Sequence, residues 1–306
     1  MTKEKLFIVI ITYNGMQWIE KCLNSCNGNS IIVVDNASTD NTVAFIRENY
    51  PKIKLIAQDK NLGFGAANNL GIAYALKQEC DYVFLLNQDT YLQKNAIEKL
   101  IEAHQENPEF GILSPIHLNG IGDKLDRNFS YYISYDKNPN FYFDAINSGL
   151  KTIYEVPFVN AAAWLLPKHT LENIGGFDPI FFHYGEDDNY CQRVLFHKLK
   201  IGIVAVSFVN HDRETRTHNI KETKESKLLK LERSFKLNWA NINEDNLKEI
   251  TTRKNSLKKK VLKFKIKFKF SVAKRYQSEL KLIERIESEI IKSKEINCKL
   301  GSHYIR

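Results

Sequence analysis

Cysteine is scarce in this sequence, and it contains no long apolar run. The five cysteines are odd in number and form no C-x-x-C pair, so no disulfide framework is expected. Reduced thiols indicate a cytosolic protein, because persistent disulfides belong to oxidising compartments. The first apolar run, Leu6–Ile11, leads directly into polar residues. We therefore expect neither a signal peptide nor a membrane-spanning helix, and any membrane contact would have to be peripheral.

Charge is divided unevenly along the chain, whose formal net charge is +8. Residues 221–306 hold 24 Lys and Arg against 11 Asp and Glu, whereas residues 1–220 hold 20 against 25. The C-terminal part also has a helical apolar period. We predict an acidic N-terminal domain over residues 1–220 and a basic, helical C-terminal extension over residues 221–306.

The N-terminal part alternates between short apolar runs and segments with helical periodicity. Four runs rich in Ile, Val and Leu are predicted to be buried strands: Leu6–Ile11, Ile31–Val34, Ile53–Ala57 and Tyr82–Leu86. Amphipathic stretches lie between them. This alternation predicts an α/β fold, Rossmann-like, with a mostly parallel sheet and helices on both faces.

The middle of the chain has less periodicity. Residues 116–156 are rich in Asn, Asp, Tyr and Phe, and we expect irregular insertions there. Further on, Phe158–Leu166 is predicted to be a strand, Lys168–Ile174 a short helix, Glu186–His197 a second helix and Ile201–Val206 the last strand.

Polar residues follow each of the first four predicted strands. They are Thr12-Tyr13-Asn14-Gly15, Asp35-Asn36, Asn61-Leu62-Gly63-Phe64-Gly65 and Asn87-Gln88-Asp89-Thr90. Ligands of open parallel sheets bind beyond the carboxyl ends of the strands. Any one of these segments is explained as a turn, because Asn, Asp and Gly favour turns locally. Four such segments in succession favour a ligand-binding rim at the carboxyl ends of the strands.

The chemistry of this rim indicates the kind of ligand. The four polar segments contain no Lys or Arg, so a diphosphate would need a bridging cation with oxygen ligands. Asp89 is the obvious ligand for such an ion. Asp35 is suited to accept a hydrogen bond from a pyrimidine imide, and the glycines after Asn61 allow the backbone to approach a ligand.

A second polar group lies further along the chain. Glu186, Asp187 and Asp188 follow the aromatic segment Phe177–Tyr184. Three acids at a helix start complement the helix dipole, which is the simpler explanation. Beside an aromatic floor, one of them is also suited to take a proton from an attacking hydroxyl. His211 follows the last predicted strand and is suited to complete a metal shell.

Taken together, these motifs resemble family 2 glycosyltransferases, and among them bacterial rhamnosyltransferases and related polysaccharide enzymes. The resemblance covers roughly residues 5–215 and does not extend to the basic tail. It rests on Val9–Gly15, Val33–Asp40, Asn61–Gly65, Leu86–Asp89 and Gly176–Asp187, which stand in the family's order.

The resemblance implies a GT-A fold, a cation (Mg²⁺ or Mn²⁺) and inverting transfer of a sugar from a nucleotide diphosphate. Asp89 and His211 then hold the metal, and Asp187, paired with Glu186, is the general base. The nucleotide residues are Thr12, Tyr13, Asn14, Asp35, Asn36, Asn61, Gly63, Asn69 and Asn87. The sugar and acceptor pocket is assigned to Ala161, Ala162, Trp164, Phe182 and Asp188.

The sequence departs from the family pattern at several positions. Asn87 replaces the first acid of the D-x-D motif, Asn189 replaces the second acid of E-D-x-D, and Ala161 stands where glycine is usual. The Q-x-x-R-W motif of processive synthases is missing, which favours addition of a single sugar. Thymidine and uridine donors both remain open, as do the acceptor and the linkage.

Two other functions were weighed. A nucleotidyltransferase requires a basic glycine-rich loop after the first strand, and Met16-Gln17 stand there instead. The alternative from another class is a protein that binds nucleic acid or an anionic surface through its tail, with a degenerate transferase domain. Residues 253–275 contain eleven Lys and Arg and no acid, which attracts phosphates but also fits a solvated charge run.

We favour a membrane over nucleic acid as the tail's partner. Phe and Ile alternate with Lys in Phe264–Phe270, which suits an anionic leaflet, and no nucleic-acid motif is apparent. The expected partners are a nucleotide sugar and a glycan or lipid-linked acceptor, at the inner face of a bacterial cytoplasmic membrane. The stripe Leu280, Ile283, Ile286 and Ile290 is suited to pair helices, including between chains.

Overall fold

A nine-stranded sheet lies at the centre of the first part of the molecule. The computed structural model describes residues 4–214 and 223–305. The strands are β1 (Leu6–Thr12), β2 (Ser30–Asp35), β3 (Lys54–Ala57), β4 (Tyr82–Asn87), β5 (Thr90–Leu92), β6 (Phe110–Asn119), β7 (Ile153–Glu155), β8 (Ala163–Pro167) and β9 (Lys200–His211). The helices between them are α1 (Ile19–Ser25), α2 (Thr42–Asn49), α3 (Phe64–Lys77), α4 (Ala96–Glu106), α5 (Pro139–Ile146), α6 (Lys168–Asn173) and α7 (Glu186–Phe196).

The strand order across the sheet is β3-β2-β1-β4-β8-β6-β9-β5, and β7 pairs with β9. Strands β1 to β4 pair in parallel, whereas β8 runs antiparallel to both β4 and β6. Six strands run in one direction and three in the other. The predicted α/β class and the first four predicted strands are therefore confirmed, in a sheet of mixed direction.

Both faces of the sheet are covered, which explains the uninterrupted apolar runs. Successive β1 residues point to opposite faces, and Ile8 and Ile10 join one buried cluster while Val9 and Ile11 join the other. In β8, Trp164 and Leu166 lie in one cluster and Leu165 in the other. All five cysteines are thiols, and only Cys298 is exposed.

The expectation of irregular structure over residues 116–156 was wrong in part. Strand β6 extends to Asn119 and pairs in parallel with β9, with a register shift after Pro115. Because this strand is buried on both faces and interrupted by a bulge, it lacks the alternation that marks a strand. Helix α5 begins after Asn138, whose side chain accepts a hydrogen bond from the Phe141 amide.

Two other predicted strands differ in length. The strand predicted over Phe158–Leu166 begins only at Ala163, whereas the last strand, predicted to end at Val206, continues to His211. The extra residues of β9 carry the pairing with β5. That pairing places His211 opposite Thr90 on β5, in the site described below.

Chain contacts divide the protein into two compact units: residues 1–217 with 300–306, and residues 218–299. The second unit contains α8 (Lys224–Trp239), α9 (Leu247–Ile266) and α10 (Phe270–Asn297), which confirms the predicted helical character of the C-terminal part. The stripe Leu280, Ile283, Ile286 and Ile290 is buried on α10, which packs on α9 and α8 of the same chain. The predicted helix pairing is thus satisfied within the chain. No helix in the two described ranges has the length and apolar character needed to span a bilayer.

The last residues of the chain return to the first unit. The Gly176 amide donates to the His303 carbonyl at 2.8 Å, and the Tyr304 hydroxyl donates to Asp178 Oδ2 at 3.2 Å. Gly175 has a φ of +82°, and a Cβ at this position would lie 2.3 Å from the His303 carbonyl oxygen. The segment that precedes α7 is therefore held by the C-terminal residues.

We expect Gly175→Ala to lower the free energy of unfolding by about 2–4 kcal/mol, because it adds a backbone clash to the left-handed penalty. Gly28→Ala is the matched control, since Gly28 has a φ of +88° and nothing within 4 Å of its Cβ position. That variant should lose only about 1 kcal/mol. Denaturant unfolding followed by circular dichroism measures both, and equal losses would contradict the proposed contact.

Candidate functional site

The polar rim is assembled by the register of the parallel strands. Thr12 at the end of β1 stands opposite Asp35 at the end of β2, and Ile11 stands opposite Asn87 on β4. The Asn36 amide donates to the Thr12 carbonyl at 2.8 Å. The three strand ends therefore reach one level of the sheet, where their loops meet.

The loop after β1 is held by a residue that sequence reasoning did not single out, Gln88. The Thr12 hydroxyl donates to Gln88 Oε1 at 2.8 Å, and the Tyr13 amide donates to the same oxygen at 3.0 Å. Asn14 adopts a left-handed φ of 49°, and its Oδ1 accepts from the Thr39 amide at 2.8 Å. The Tyr13 ring stays about half exposed at the edge of this loop.

Asp35 and Asn36 are buried and organise two further loops. The Asp35 carboxylate accepts from the amide and the hydroxyl of Ser38, which closes the turn after β2. Asn36 donates from Nδ2 to Asn61 Oδ1 at 2.9 Å and accepts from the Leu62 amide at 2.7 Å. The polar segments after β2 and β3 are therefore linked side chain to side chain.

The loop after β3 touches the aromatic segment that precedes α7. Gly63 has a φ of +83°, and a Cβ there would lie 2.0 Å from the Phe182 carbonyl oxygen. The Phe182 ring itself is mostly exposed. Asn69, predicted to bind nucleotide, exchanges two hydrogen bonds with the Phe177 backbone at 2.7 and 2.8 Å. The Asn69 side-chain amide therefore joins α3 to the segment that precedes α7.

Asp89 and His211 are brought together by the antiparallel pairing of β5 with the end of β9. The Asp212 amide donates to the Asp89 carbonyl at 2.8 Å, and Asp89 Oδ1 lies 3.5 Å from His211 Nε2. Both side chains are buried. Burial lowers the pKa of His211, against the opposing effect of Asp89, so the imidazole is neutral near pH 7.

This pair is chemically suited to a divalent cation, since a carboxylate and a neutral imidazole are ligands for Mn²⁺ or Mg²⁺. It supplies only two protein groups. Within residues 4–214 and 223–305, no cluster of three or more His, Cys, Asp or Glu is placed to hold a metal. A cation here would take its remaining ligands from a bound molecule or water.

A guanidinium group lies beside this pair, although the polar segments of the rim contain no cation. Arg213 Nε lies 3.6 Å from Asp126 Oδ2 and 3.2 Å from His211 Nδ1. Arg213 follows the end of β9 by two residues, and Asp126 lies in the segment expected to be irregular. The position of Arg213, two residues after His211, is the sequence signal by which it could have been found.

Asp187 occupies the first turn of α7, after Gly185 in the left-handed region. Its carboxylate accepts hydrogen bonds from backbone amides, among them that of Asp188 at 3.0 Å. Burial raises the pKa of Asp187, while backbone hydrogen bonds, one of them from Ala161, and the charge of Arg213 oppose the shift. Burial also raises the pKa of Tyr132, with the nearby Asp187 carboxylate as the second cause.

The acids next to Asp187 have different surroundings. Glu186 is buried, and its Cβ lies 3.5 Å from the position of a Cβ on Gly65 at the start of α3. Asp188 is partly exposed. Asn189, which replaces the second acid of the E-D-x-D pattern, is fully buried.

Of the residues assigned to the acceptor pocket, Ala161 and Ala162 lie at this rim. The Ala161 amide bonds to Asp187, and the Ala162 carbonyl accepts from the Asn87 amide at 2.9 Å. Trp164 requires a correction, because its ring is fully buried and stacks on Phe177 with centroids 6.0 Å apart. Trp164 belongs to the buried cluster on one face of β8, so it supports the site from below without lining it.

A model of the glycosyl transferase family 2 domain matches residues 7–163, just over half of the chain. The chain belongs to glycosyl transferase family 2. The match covers the rim from β1 to the start of β8 and ends before Asp187 and His211. The assignment of Asp187 and His211 in this family 2 chain therefore rests on their geometry and on the order of the sequence motifs.

Curated relatives include proteins named as a hexosyltransferase and as rhamnosyltransferases. The "Low-salt glycan biosynthesis hexosyltransferase Agl10" of Haloferax volcanii is 24% identical over 201 residues, which are 65% of this chain and 64% of that protein. The "N-acetylglucosaminyl-diphospho-decaprenol L-rhamnosyltransferase" of Mycobacterium tuberculosis is 25% identical, covering 61% of this chain and 69% of the relative. The "dTDP-rhamnosyl transferase RfbF" of Shigella flexneri is 23% identical, covering 65% and 66%. The match to the archaeal relative thus spans less than two thirds of its length.

Solved structures share the fold at low sequence identity. GalNAc-T7 with UDP, GalNAc and Mn²⁺ superposes with a TM-score of 0.59 at 14% identity, covering 76% of this chain and 47% of that one. S. aureus TarS 1-349 in complex with UDP-GlcNAc gives a TM-score of 0.53 at 17% identity, covering 79% and 67%. These structures confirm the GT-A fold of the family 2 chain.

The raised pKa of Asp187 predicts a pH-dependent difference in stability between Asp187→Asn and the wild type. The folded wild type holds this proton at a pH where the unfolded chain has lost it, so its stability falls as pH rises through that window. We compare the difference in melting temperature, Asp187→Asn minus wild type, at two pH values. This difference should be more positive at about pH 7 than at about pH 4. Differential scanning calorimetry at both pH values measures it. A constant or opposite difference would contradict the raised pKa.

Proposed function

We propose that this protein is an inverting, metal-dependent glycosyltransferase. It moves one sugar from a nucleotide-diphosphate donor, dTDP-rhamnose or a UDP-hexose, to a hydroxyl of a glycan or lipid-linked acceptor in cell-surface polysaccharide synthesis. The observation that carries the proposal is the position of Arg213, whose charge acts on both Asp187 and His211. A general base and a metal-ligand pair close together are what such a transfer requires.

The nucleotide part of the donor is assigned to the loops after β1, β2 and β3. Tyr13 offers an exposed ring at the edge of the rim, and Asp35 offers a buried carboxylate at its base. The link between Asn36 and Asn61 holds the loops in position before the donor arrives. Preorganised polar groups of this kind bind with less loss of conformational entropy.

The diphosphate is assigned to the neighbourhood of Asp89, His211 and Arg213. Asp89 and His211 would hold a Mg²⁺ or Mn²⁺ ion, which supplies positive charge to the departing diphosphate. Arg213 adds a second positive charge within 4 Å of the imidazole. Asn87, at the first acid position of the D-x-D motif, donates its backbone amide to the Ala162 carbonyl. The site therefore relies on one carboxylate of that motif.

Asp187 is assigned as the general base. Its raised pKa makes it a stronger proton acceptor than an exposed aspartate, while backbone hydrogen bonds and the charge of Arg213 favour its ionised form. It takes the proton of the acceptor hydroxyl as that oxygen attacks the anomeric carbon. Attack opposite the diphosphate inverts the configuration in one step. Glu186 packs the start of α7 against α3 and so positions this base.

A lipid-linked acceptor would bring the protein to a membrane. The name of the mycobacterial relative describes transfer to a diphospho-decaprenol-linked sugar. We infer a comparable acceptor class here, and a cytoplasmic protein bound peripherally at the inner face of the cytoplasmic membrane. The alternative, a degenerate transferase that acts only through its tail, is disfavoured because Asp89, His211 and Asp187 are all retained.

Asp187→Asn should lower turnover by a factor of about 100 to 10,000 while leaving donor affinity within about twofold of wild type. The substitution removes proton acceptance and changes little volume. Product formation from radiolabelled donor measures the first effect, and calorimetry the second. Asp245→Asn, an exposed carboxylate of the second unit, is the control. Turnover near the wild-type rate in Asp187→Asn would refute the assignment of the base.

Asp89→Ala should weaken donor binding in Mn²⁺ by more than about 100-fold and leave residual binding that no longer responds to EDTA. His211→Ala should act in the same direction, because it removes the other ligand. Isothermal calorimetry with UDP- and dTDP-sugars, with and without Mn²⁺, measures both variants. Wild-type protein that binds these donors equally well in EDTA would overturn the metal assignment.

A further inference from the structure

The turn between α9 and α10 exposes large apolar side chains. Helix α9 ends at Ile266, α10 begins at Phe270, and three residues connect them. Leu262 is 61% exposed, Ile266 67%, Phe268 81% and Phe270 61%. We call residues 262–275 the hairpin tip. Exposed large apolar residues grouped in this way mark an interaction surface more often than a solvated one.

These residues are not the helix-packing residues of the hairpin. Leu257, Val261 and Ala273 are buried between the helices, and Phe264 stacks on Tyr276 with centroids 5.6 Å apart. The apolar side chains at the tip are additional to this packing. Phe268 also has a positive φ of 55°, a strained conformation for a bulky residue.

Positive charge is concentrated in the same place. Residues 253–275 contain eleven Lys and Arg and no acid. At the base of the hairpin, Arg253 pairs with Glu279 and Lys254 with Glu287. For the nine cations over residues 258–275, the described part of the chain provides no ion pair. The base of the hairpin is thus neutralised and the tip is not.

We propose that the hairpin tip docks on an anionic lipid bilayer. Leu262, Ile266, Phe268 and Phe270 enter the headgroup boundary, and the lysines beside them contact anionic headgroups. Each cation near such a surface raises the partition coefficient about fivefold, and salt screens the effect. An apolar and cationic tip matches both parts of this surface. The inference deepens the peripheral membrane location proposed above but does not depend on sugar transfer.

Nucleic acid is the competing partner for a cationic surface. Phosphates would attract the lysines, and single strands would stack on Phe268 or Phe270. Exposed Leu262 and Ile266 would not contribute to binding a single strand in this way, because aliphatic side chains do not stack on bases. The aliphatic residues therefore favour the bilayer, and the experiment below includes both partners.

The test is sedimentation of the full chain with vesicles of phosphatidylcholine alone or with about 30% phosphatidylglycerol, at about 0.1 M salt. The triple variant Lys263→Gln/Lys265→Gln/Lys267→Gln should lower the partition coefficient about 100-fold. Ile266→Ser/Phe268→Ser/Phe270→Ser keeps every charge and should lower it at least about 10-fold. Circular dichroism verifies that each variant keeps its helical content.

Two matched controls carry the same changes elsewhere in the second unit. Lys248→Gln/Lys281→Gln/Lys292→Gln removes three exposed cations, and Leu229→Ser/Ile291→Ser removes exposed apolar side chains of α8 and α10. The apolar control should stay within about twofold of wild type. The lysine control should lose clearly less than the tip lysine variant, because its cations lie away from the tip.

Equal pelleting of wild type and the serine tip variant would overturn the proposal. So would binding of a single-stranded oligonucleotide more tightly than anionic vesicles of matched charge. Donor binding is measured on the same samples by calorimetry, and the tip variants should retain the wild-type value. If the wild-type protein does not bind donor, the proposed transferase function is contradicted, whereas the vesicle result is unaffected.

Discussion

The short antiparallel pairing between β5 and the end of β9 determines where the rest of the site lies. It sets the Asp89 carboxylate 3.5 Å from the His211 imidazole, although 122 positions separate the two in the chain. Both side chains are buried there, and burial keeps the imidazole neutral. This contact between Asp89 and His211 forms only because β9 continues past Val206 to reach β5.

The guanidinium of Arg213 contributes positive charge beside this pair. Asp89, Asp126 and Asp187 place three carboxylates around it, and Arg213 lies among them beside His211. Burial raises the pKa of Asp187, and the positive charge of Arg213 opposes that shift. The C-terminal residues contribute at a greater distance, because His303 and Tyr304 hold the segment that leads into α7.

Much of the fold could be predicted from the sequence because its signals are local. Strands β1, β2 and β4 are mostly buried runs of Ile, Val and Leu, β3 is a shorter, partly exposed strand at the sheet edge, and polar residues follow all four. Strand β6 could not be predicted in the same way, since Pro115 and a bulge interrupt it. The pattern Phe264–Phe270 alternates with a period of two, yet it spans a helix end, a turn and a helix start. Local period alone cannot distinguish these arrangements.

The candidate site, like the fold, was predicted from the sequence only where its signals are local. Sequence alone determined the residue types and their order, from Thr12 through Asp89 to Asp187, because strand ends and helix starts carry recognisable polar signals. Only the tertiary structure decided that Trp164 belongs to the core, that Asn69 ties α3 to Phe177, and that Arg213 lies beside Asp126 and His211. Those outcomes depend on strand register and on contacts between residues distant in the chain, which local pattern does not encode.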